Sequence, residues 1–204
     1  MLRNRLCCAA LASALAAGLA LAPEPQSARA AVAVDATFYD LPFGARDLRR
    51  GMTGTDVKTL NWSLRGVGLG TLPHAAFDST TDGAVRHLQS TSGLKASGVV
   101  DAYTRTAVAA RMRDNRASWY GPGLWGNRTA CGKKLRKPTV GVAHRKLPCG
   151  SRVVLAYGGS WVRAKVIDRG PYVKGRKWDL TQALAMRLGT IAAGDATVKA
   201  VVAR

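Results

Sequence analysis

The apolar pattern of the chain changes near residue 117, and this change limits the fold more than any other feature. Before it, apolar residues recur at three- and four-residue spacing, which is typical of amphipathic helices. After it, short runs rich in β-branched residues are separated by glycine and proline turns, which is typical of a small β-barrel. We therefore predict two domains, a three-helix bundle at residues 47–112 and a six-stranded barrel with one short helix at residues 117–204.

The helical part shows a start signal for each of its three helices. Thr55 is predicted to cap the first helix, Ser79 and Asp82 form a capping pair for the second, and Asp101 begins the third. Glycines that follow the first two apolar patterns end those helices.

The second part contains five clear strand patterns and one helical pattern. Thr181 is predicted to cap the helix, which runs through QALAMRL and ends at Gly189. The predicted strands are SWY, TVGVA, RVVLAY, WVRAKVI and TVKAVVA.

The first 30 residues have the composition of a secretory signal peptide. A basic start is followed by an apolar stretch and by Ala28-Arg29-Ala30, whose small residues suit a cleavage site. Residues 31–46 show no clear period and are predicted to be a linker. No later stretch is apolar for long enough to cross a bilayer, so we expect no membrane span after cleavage. The expected location is extracellular or at the cell wall, or periplasmic in a Gram-negative cell.

The charge of the chain indicates an anionic partner. The formal net charge is +19, and the 30 residues of the predicted signal peptide contain three arginines and the one glutamate of the sequence. Any carboxylate chemistry of the exported chain therefore depends on aspartate. In an exported protein such a charge suits anionic wall polymers or peptidoglycan carboxylates. The basic residues are scattered without a run of five, so we predict no nucleic-acid binding; the sequence does not indicate the oligomeric state.

Two cysteines, Cys131 and Cys149, remain after the predicted cleavage. In an oxidising compartment such a pair is most simply a disulfide. The alternative is a metal site, but two cysteines and three dispersed histidines do not have ligand spacing. We predict a disulfide, no metal and no cofactor.

One carboxylate stands where a strand must end. Asp168 follows WVRAKVI and precedes Gly170-Pro171, so its backbone position is stiff and its side chain is suited to acid–base work. The alternative is that Asp168 caps the turn or pairs with Arg169.

The helical part resembles the peptidoglycan-binding type 1 domain. The resemblance lies in LRRGMTGTDVKTLNWSL, AFDSTTDGAVRHLQSTSGL and ASGVVDAYTRTAV, with departures at Asn61 and Leu88. The matched positions are mostly core and turn residues, so the resemblance implies the fold directly and wall binding by analogy. They are Leu48, Gly51, Gly54, Val57, Leu60, Phe77, Thr81, Val85, Gln89, Gly93, Leu94, Gly98, Val100 and Thr104.

The second part resembles the rare lipoprotein A family. The blocks ASWYGPG, NRTACGKKL, VGVAHRKLPCGSRVVL, VIDRGPYV and KWDLTQALAMRLG occur in the family's order. This resemblance implies a double-psi β-barrel, the fold shared with expansins and family 45 glucanases. It also implies that Cys131 and Cys149 pin the first loop to the barrel.

The resemblance implies lytic transglycosylase chemistry, which cuts peptidoglycan glycan strands and leaves a 1,6-anhydro ring. It places the family's key aspartate on Asp168, as general acid and then base in a cleft that raises its pKa. Lys133 stands where active members carry a glutamate, and a lysine cannot protonate a leaving group at neutral pH. Either Asp168 works with different support, or the barrel is an expansin-like protein that binds or loosens the wall without cutting it. The sequence therefore leaves open whether the protein is an enzyme.

Further candidate residues follow from the same blocks, each with a structural alternative. Asp179 matches an aspartate that expansins require, or supports the start of the helix after it. His144 orients Asp168, binds sugar or is a structural hydrogen bonder. Lys133 and Arg169 are candidate ligand contacts, and Arg169 alternatively pairs with a carboxylate. Four aromatic residues are candidates for stacking on sugar rings or for the core, namely Tyr120, Trp125, Tyr172 and Trp178.

Overall fold

The computed structural model describes residues 41–203. The predicted signal peptide and the first ten residues of the predicted linker lie outside the described residues. The described chain forms three helices, then a barrel in which a fourth helix is inserted. The helices are α1 (Thr55–Gly66), α2 (Ser79–Thr91), α3 (Ala102–Ala110) and α4 (Gln182–Leu188).

Aspartates rather than hydroxyl residues start α2 and α3. The Asp78 carboxylate accepts a hydrogen bond from the Thr81 amide, and Asp101 does the same for Thr104. The cap of α2 therefore lies one residue earlier than predicted, because Asp78 and not Ser79 occupies the cap position. The predicted Thr55 cap is wrong, since α1 is preceded by Gly54 and has no side-chain cap. Apolar residues of the three helices and their turns form one core, which includes Leu48, Val57, Leu60, Leu64, Phe77, Val85, Leu88, Val100 and Val108.

Six strands close a barrel in the order β1-β5-β2-β4-β3-β6, with β6 pairing back to β1. The prediction of a six-stranded barrel preceded by helices is confirmed. Two of its pairs, β1 with β5 and β2 with β4, are parallel, and the others are antiparallel. The strands are β1 (Arg113–Tyr120), β2 (Val142–Ala143), β3 (Arg152–Tyr157), β4 (Ser160–Asp168), β5 (Arg176–Thr181) and β6 (Ala196–Ala203).

Two strands differ from the sequence prediction. β1 begins at Arg113, four residues before the predicted start of the barrel, because its charged first residues pair with β6 outside the core. β5 is absent from the predicted strands, since its charged and aromatic residues hide the alternation of buried Trp178 and Leu180. The predicted helix α4 is confirmed, with Thr181 accepting from the Leu184 amide at its start and a left-handed Gly189 at its end.

Part of the predicted linker is packed. The Phe43 side chain is 3% exposed, and its ring meets Trp161 of β4 edge-on at 5.1 Å between centroids. Arg46 forms an ion pair with buried Asp56 of α1 at 2.7 Å. The last residues before the helices therefore belong to the folded part.

The helices contact the barrel directly. Arg163 of β4 donates from Nε to the Thr59 hydroxyl at 2.9 Å, and its guanidinium lies over the Trp62 ring. At the end of α1, Gly66 lies so close to Val201 of β6 that a β-carbon would collide with that side chain. In the described part of the chain, none of the helices combines the length and apolar character needed to span a membrane.

Candidate active site

Two carboxylates stand on either side of a small residue in the barrel wall. Asp168 ends β4 and Asp179 lies in β5, and both are in register with Ala143 of the short strand β2 between them. Neighbouring strands are about 4.8 Å apart, so the two aspartates are separated by roughly 10 Å along the sheet. Residues in register share a face, so both carboxylates lie on the same side of the sheet as the alanine methyl.

Asp168 is held by backbone amides. Its Oδ1 accepts hydrogen bonds from the amides of Ala130 and Arg169, both at 2.8 Å. The first bond ties the loop before β2 to the end of β4. The second is a local turn bond, so Asp168 has the turn role that the sequence left open as well as a position at the edge of the barrel.

Asp179 is held by a hydroxyl and is half-buried. Ser118 of β1 donates from Oγ to its Oδ1 at 2.9 Å. Burial raises the pKa of Asp179, and the negative charge of Asp168 raises it further, while Ser118 and Arg176 act in the opposite direction. Asp179 therefore keeps its proton to a higher pH than an ordinary aspartic acid. The raised pKa of Asp179 was not among the expectations from the sequence.

Tyr120 lies beside both carboxylates at the end of β1. Burial raises the pKa of its hydroxyl, and the charges of Asp168 and Asp179 raise it further. The hydroxyl oxygen is buried and lacks hydrogen-bond geometry to any partner in residues 41–203, although Asp168 is near enough to affect it. The group is thus a protonated phenol across the physiological pH range.

His144 follows β2 and orders the loop after it. Its Nδ1 accepts from the amides of Lys146 and Leu147 at 3.1 and 3.0 Å, which assigns the proton of the neutral ring to Nε2. Burial lowers the pKa of His144, and the charges of Lys177, Arg145 and Arg169 lower it further. Toward Asp168 it contributes only its amide, which donates to the Asp168 carbonyl at 3.2 Å. These side-chain contacts are of the structural kind that the sequence kept as an alternative.

Arg169 and Trp178 also have structural contacts. The Arg169 guanidinium donates to the carbonyls of Leu147 at 3.0 Å and His144 at 3.4 Å, so it holds the loop after β2. It forms no ion pair with a carboxylate within residues 41–203. Trp178 is 2% exposed in the barrel core and packs on the His144 ring at 4.6 Å, and its Nε1 has no partner among the described residues. The Trp178 ring is therefore too deeply buried to stack on a sugar, whereas Arg169 is partly exposed.

The other three candidates lie on loops. Tyr172 is 80% exposed just after Gly170-Pro171, which leaves its ring available to a ligand. Trp125 is half-buried and covers Gly121, whose lack of a side chain makes room for the ring. Lys133 is exposed, and its amide donates to the Thr129 hydroxyl at 3.1 Å.

The predicted disulfide is confirmed. Cys131 and Cys149 are bonded, with Cα atoms 5.7 Å apart. The bond fixes the loop whose Ala130 amide binds Asp168, so it supports one side of the site. Among residues 41–203 no group of three or more histidine, cysteine, aspartate or glutamate side chains is placed to hold a metal ion.

The structure adds two residues that the sequence analysis did not select. Ser118 binds Asp179, and Ala143 brings the two aspartates to the same face. Ser118 lies within the ASWYGPG block, but it is buried like its neighbour Ala117, so no alternation of burial marks it. Ala143 gave none, because its role depends on which strands are neighbours.

Comparison with known families agrees with the division of the chain into a helical part and a barrel. Residues 113–200 match the family described as "Lytic transglycolase", and residues 53–108 match the one described as "Putative peptidoglycan binding domain". Residues 113–200 are therefore similar to lytic transglycolase domains, and the residues before them are similar to peptidoglycan-binding domains. Both resemblances identified from the sequence are confirmed.

Curated relatives carry the name RlpA. The chain is 32% identical over 166 residues to the "Endolytic peptidoglycan transglycosylase RlpA" of Campylobacter jejuni, which covers 70% of this chain and 60% of that protein. It is 37% identical over 101 residues to the "Probable endolytic peptidoglycan transglycosylase RlpA" of Synechocystis sp., covering 48% of this chain and 32% of that protein. The chain thus spans about one third to three fifths of the length of these relatives.

Two solved structures contain a segment that is similar to part of this chain. The Streptomyces papain inhibitor has a TM-score of 0.39 and 23% identity, and covers 45% of this chain and 94% of its own. The apo expansin of Clavibacter michiganensis has a TM-score of 0.38 and 24% identity, and covers 45% of this chain and 50% of its own.

Proposed function

We propose that this chain is an exported cell-wall protein that binds peptidoglycan and cleaves its glycan strands as a lytic transglycosylase. The observation that carries the proposal is the pair Asp168 and Asp179 on one face of a barrel that is similar to lytic transglycolase domains. The relatives named endolytic peptidoglycan transglycosylase support the same activity. The barrel is of the double-psi type, and its location is the cell wall or the periplasm.

Asp168 is the general acid and then the general base of this reaction. As an acid it gives its proton to the glycosidic oxygen while the bond from that oxygen to the muramic acid C1 breaks. The C6 hydroxyl of the same sugar then bonds to C1 and closes the 1,6-anhydro ring. Its proton passes to the Asp168 carboxylate, which restores the starting state without consuming water.

Asp179 supplies the second carboxyl group, in a position different from that of the glutamate replaced by Lys133. Its raised pKa keeps it protonated to a higher pH than an ordinary aspartic acid. A neutral Asp179 reduces the negative charge that Asp168 meets, and also provides a proton near the substrate. Tyr120, as a protonated phenol beside both groups, can donate a hydrogen bond without adding charge.

The helical domain holds the protein on the wall, as its match to peptidoglycan-binding domains supports. Tyr172, the most exposed of the aromatic candidates, stacks on a sugar ring at the edge of the site. Lys133, exposed on the loop that binds Asp168, meets a carboxylate of a muramyl peptide. The partner is the glycan strand together with anionic wall polymers.

The second candidate function is a non-catalytic, expansin-like protein that binds or loosens the wall. Lys133 favours it, because it replaces the glutamate expected at this position in active relatives, and a lysine ammonium is too weak an acid to take the place of a carboxylic acid. The two candidates share the fold, the wall binding and the exposed aromatic residue. They differ only in whether a glycosidic bond is cut.

The test uses residues 31–204 and an Asp168→Asn variant with purified peptidoglycan. Pelleting with the polymer measures binding, and the soluble fraction is assayed for released muropeptides. We expect both proteins to bind and only the wild type to release fragments. An Asp114→Asn variant is the matched control, because Asp114 is exposed on β1 and pairs with Lys199 away from the site. Binding by all three proteins with release by none would leave the non-catalytic function.

A further inference from the structure

A cavity of about 450 Å³ lies away from the two aspartates, where the end of α1 meets the barrel. Its wall includes the start of β1, the start of β5 and the end of β6. Neither Asp168, Asp179, Tyr120 nor Ser118 belongs to this wall. The proposed cleavage reaction therefore leaves the cavity without a function.

The cavity is lined by four cationic side chains and no carboxylate. Arg65, Arg111, Arg113 and Lys177 all contribute to its wall, together with the amide side chain of Asn115. Arg111 donates from Nη2 to the neutral hydroxyl of Thr91 at 2.6 Å. Within residues 41–203, ion pairs involve seven other basic side chains, and Arg111, Arg113 and Lys177 take part in none of them.

The sheet fixes the positions of these groups. Arg113 is the antiparallel partner of Ala200, which also lines the cavity, so the two residues share a face. Asn115 is two residues further along the same strand and faces the same way. Lys177 comes from the neighbouring strand β5, and Arg111 directly follows α3 as its C-cap, two residues before β1 begins. The cations are therefore held by rigid elements on several sides of one space.

Like charges gathered in a concave, partly apolar site repel one another more strongly than on an open surface. Leu147, Val201 and Val202 supply the apolar part of this wall. His144 lines the same cavity, and Lys177 is among the charges that lower its pKa, which agrees with a positive field there. No ion pair within residues 41–203 offsets the charges of Arg111, Arg113 and Lys177, whereas a bound anion would.

We propose that this cavity is a binding site for a phosphate-type oxyanion, such as a phosphoryl group of an anionic polymer. Guanidinium groups match the geometry of phosphate through paired N–H donors, and a lysine ammonium adds charge. The Asn115 amide supplies a neutral donor. A phosphoryl group fits better than a carboxylate, because its oxygens can serve several cations at once. The volume leaves room for part of the carrier along the apolar wall.

The primary test is calorimetric titration of residues 31–204 with inorganic phosphate. An Arg113→Gln/Lys177→Gln double variant should bind at least about tenfold more weakly, since charge-assisted hydrogen bonds are lost. The matched control is Arg136→Gln/Lys137→Gln, which removes one arginine and one lysine from an exposed loop. It should bind like the wild type. Equal affinity in all three proteins, or no binding by the wild type at millimolar phosphate, would overturn the proposal.

A second readout locates the anion. Bound phosphate adds negative charge near His144, so the NMR titration of its ring should move to higher pH in the wild type and not in the double variant. A folded double variant, shown by an unchanged melting transition, makes the comparison valid. If the double variant does not fold, the His144 titration of the wild type with and without phosphate decides by itself, and an unchanged pKa would exclude the site.

Two sources of anion are then separated by competition against phosphate. A glycerol phosphate oligomer represents a wall polymer with phosphodiesters, and a muramyl dipeptide represents peptidoglycan carboxylates. Displacement by the oligomer alone supports the phosphoryl assignment. Displacement by the dipeptide alone would contradict it. The site does not depend on bond cleavage, so an inactive barrel that binds phosphate would overturn only the proposed enzyme function.

Discussion

At the scale of single residues, the pKa of Asp179 leads to a prediction of stability against pH. Its pKa is raised in the folded state by burial, so the folded protein binds this proton more tightly than the unfolded chain. The stabilisation is fully present below the ordinary aspartate pKa of about 3.9 and is lost as pH rises through the folded value. Asp179 therefore stabilises the fold less at neutral pH than in acid solution.

An Asp179→Asn variant should melt at a higher temperature than the wild type at neutral pH, and the difference should shrink as the solution is acidified. The asparagine keeps an oxygen for the Ser118 hydroxyl. Asp195→Asn is a control for which the change in melting temperature should have the opposite sign. The hydrogen bond from Arg176 lowers the pKa of Asp195, so the charged form of this residue stabilises the fold. The Asp195→Asn variant should melt lower than the wild type at neutral pH. A lower melting temperature for Asp179→Asn at neutral pH would contradict the assignment.

The sequence was enough to select single candidate residues, but not to predict which residues surround them in the fold. The strand end before Gly170-Pro171 was enough to select Asp168. The raised pKa of Asp179 was not predictable, because it depends on strands far apart in the chain that become neighbours through Ala143. For Trp178 the sequence left both sugar stacking and a core position open, because β5, in which it is buried, was not predicted.

At the scale of elements, the contact between α1 and β6 depends on Gly66. A β-carbon at this position would collide with the Val201 side chain. Gly66→Ala should lower the free energy of unfolding by about 1–3 kcal/mol, the usual cost of inserting a carbon into packed structure. Urea unfolding measures this. Gly83→Ala in α2 is the matched control, because its β-carbon meets no atom within 4 Å and it should be neutral or stabilising by up to about 1 kcal/mol. Equal effects of the two changes would show that this contact is unimportant.

The disulfide between Cys131 and Cys149 stabilises the loop that holds Asp168. With a sequence separation of 18, closing this loop contributes roughly 3 kcal/mol on the chain-entropy model. A Cys131→Ser/Cys149→Ser variant should lose about that much stability in urea unfolding. Adding a reductant to the wild type should give a similar loss and should leave the double variant unchanged. An unaltered transition in the reduced wild type would contradict this role of the bond.

Elements with a regular pattern were predictable and those with a mixed pattern were not. The helix that begins after Thr181 and ends before Gly189 has clear start and stop signals. The start of β1 was missed because charged residues from Arg113 onward resemble a connection between domains. In the structure these residues pair with β6, and Arg113 lines the basic cavity. Side chains that serve a surface site weaken the pattern from which a strand is recognised.

At the scale of the whole molecule, the helices and the barrel are joined by packed and polar contacts. Trp161 of β4 packs against the helical core and also against the cluster that contains Trp62 and Val154. Arg163 adds its hydrogen bond to Thr59. We therefore expect one cooperative thermal transition, seen at the same temperature by far-ultraviolet circular dichroism and by tryptophan fluorescence. Two separated transitions would show that the parts unfold independently.

The central claim is that the barrel cuts glycan strands without consuming water. The most direct measurement is the mass of the muropeptides that residues 31–204 release from purified peptidoglycan. We expect products that are lighter than the hydrolysis products by one water, because a 1,6-anhydro ring forms in place of water addition. These products should be absent with Asp168→Asn. Products that have gained a water, or release that persists in the variant, would contradict it.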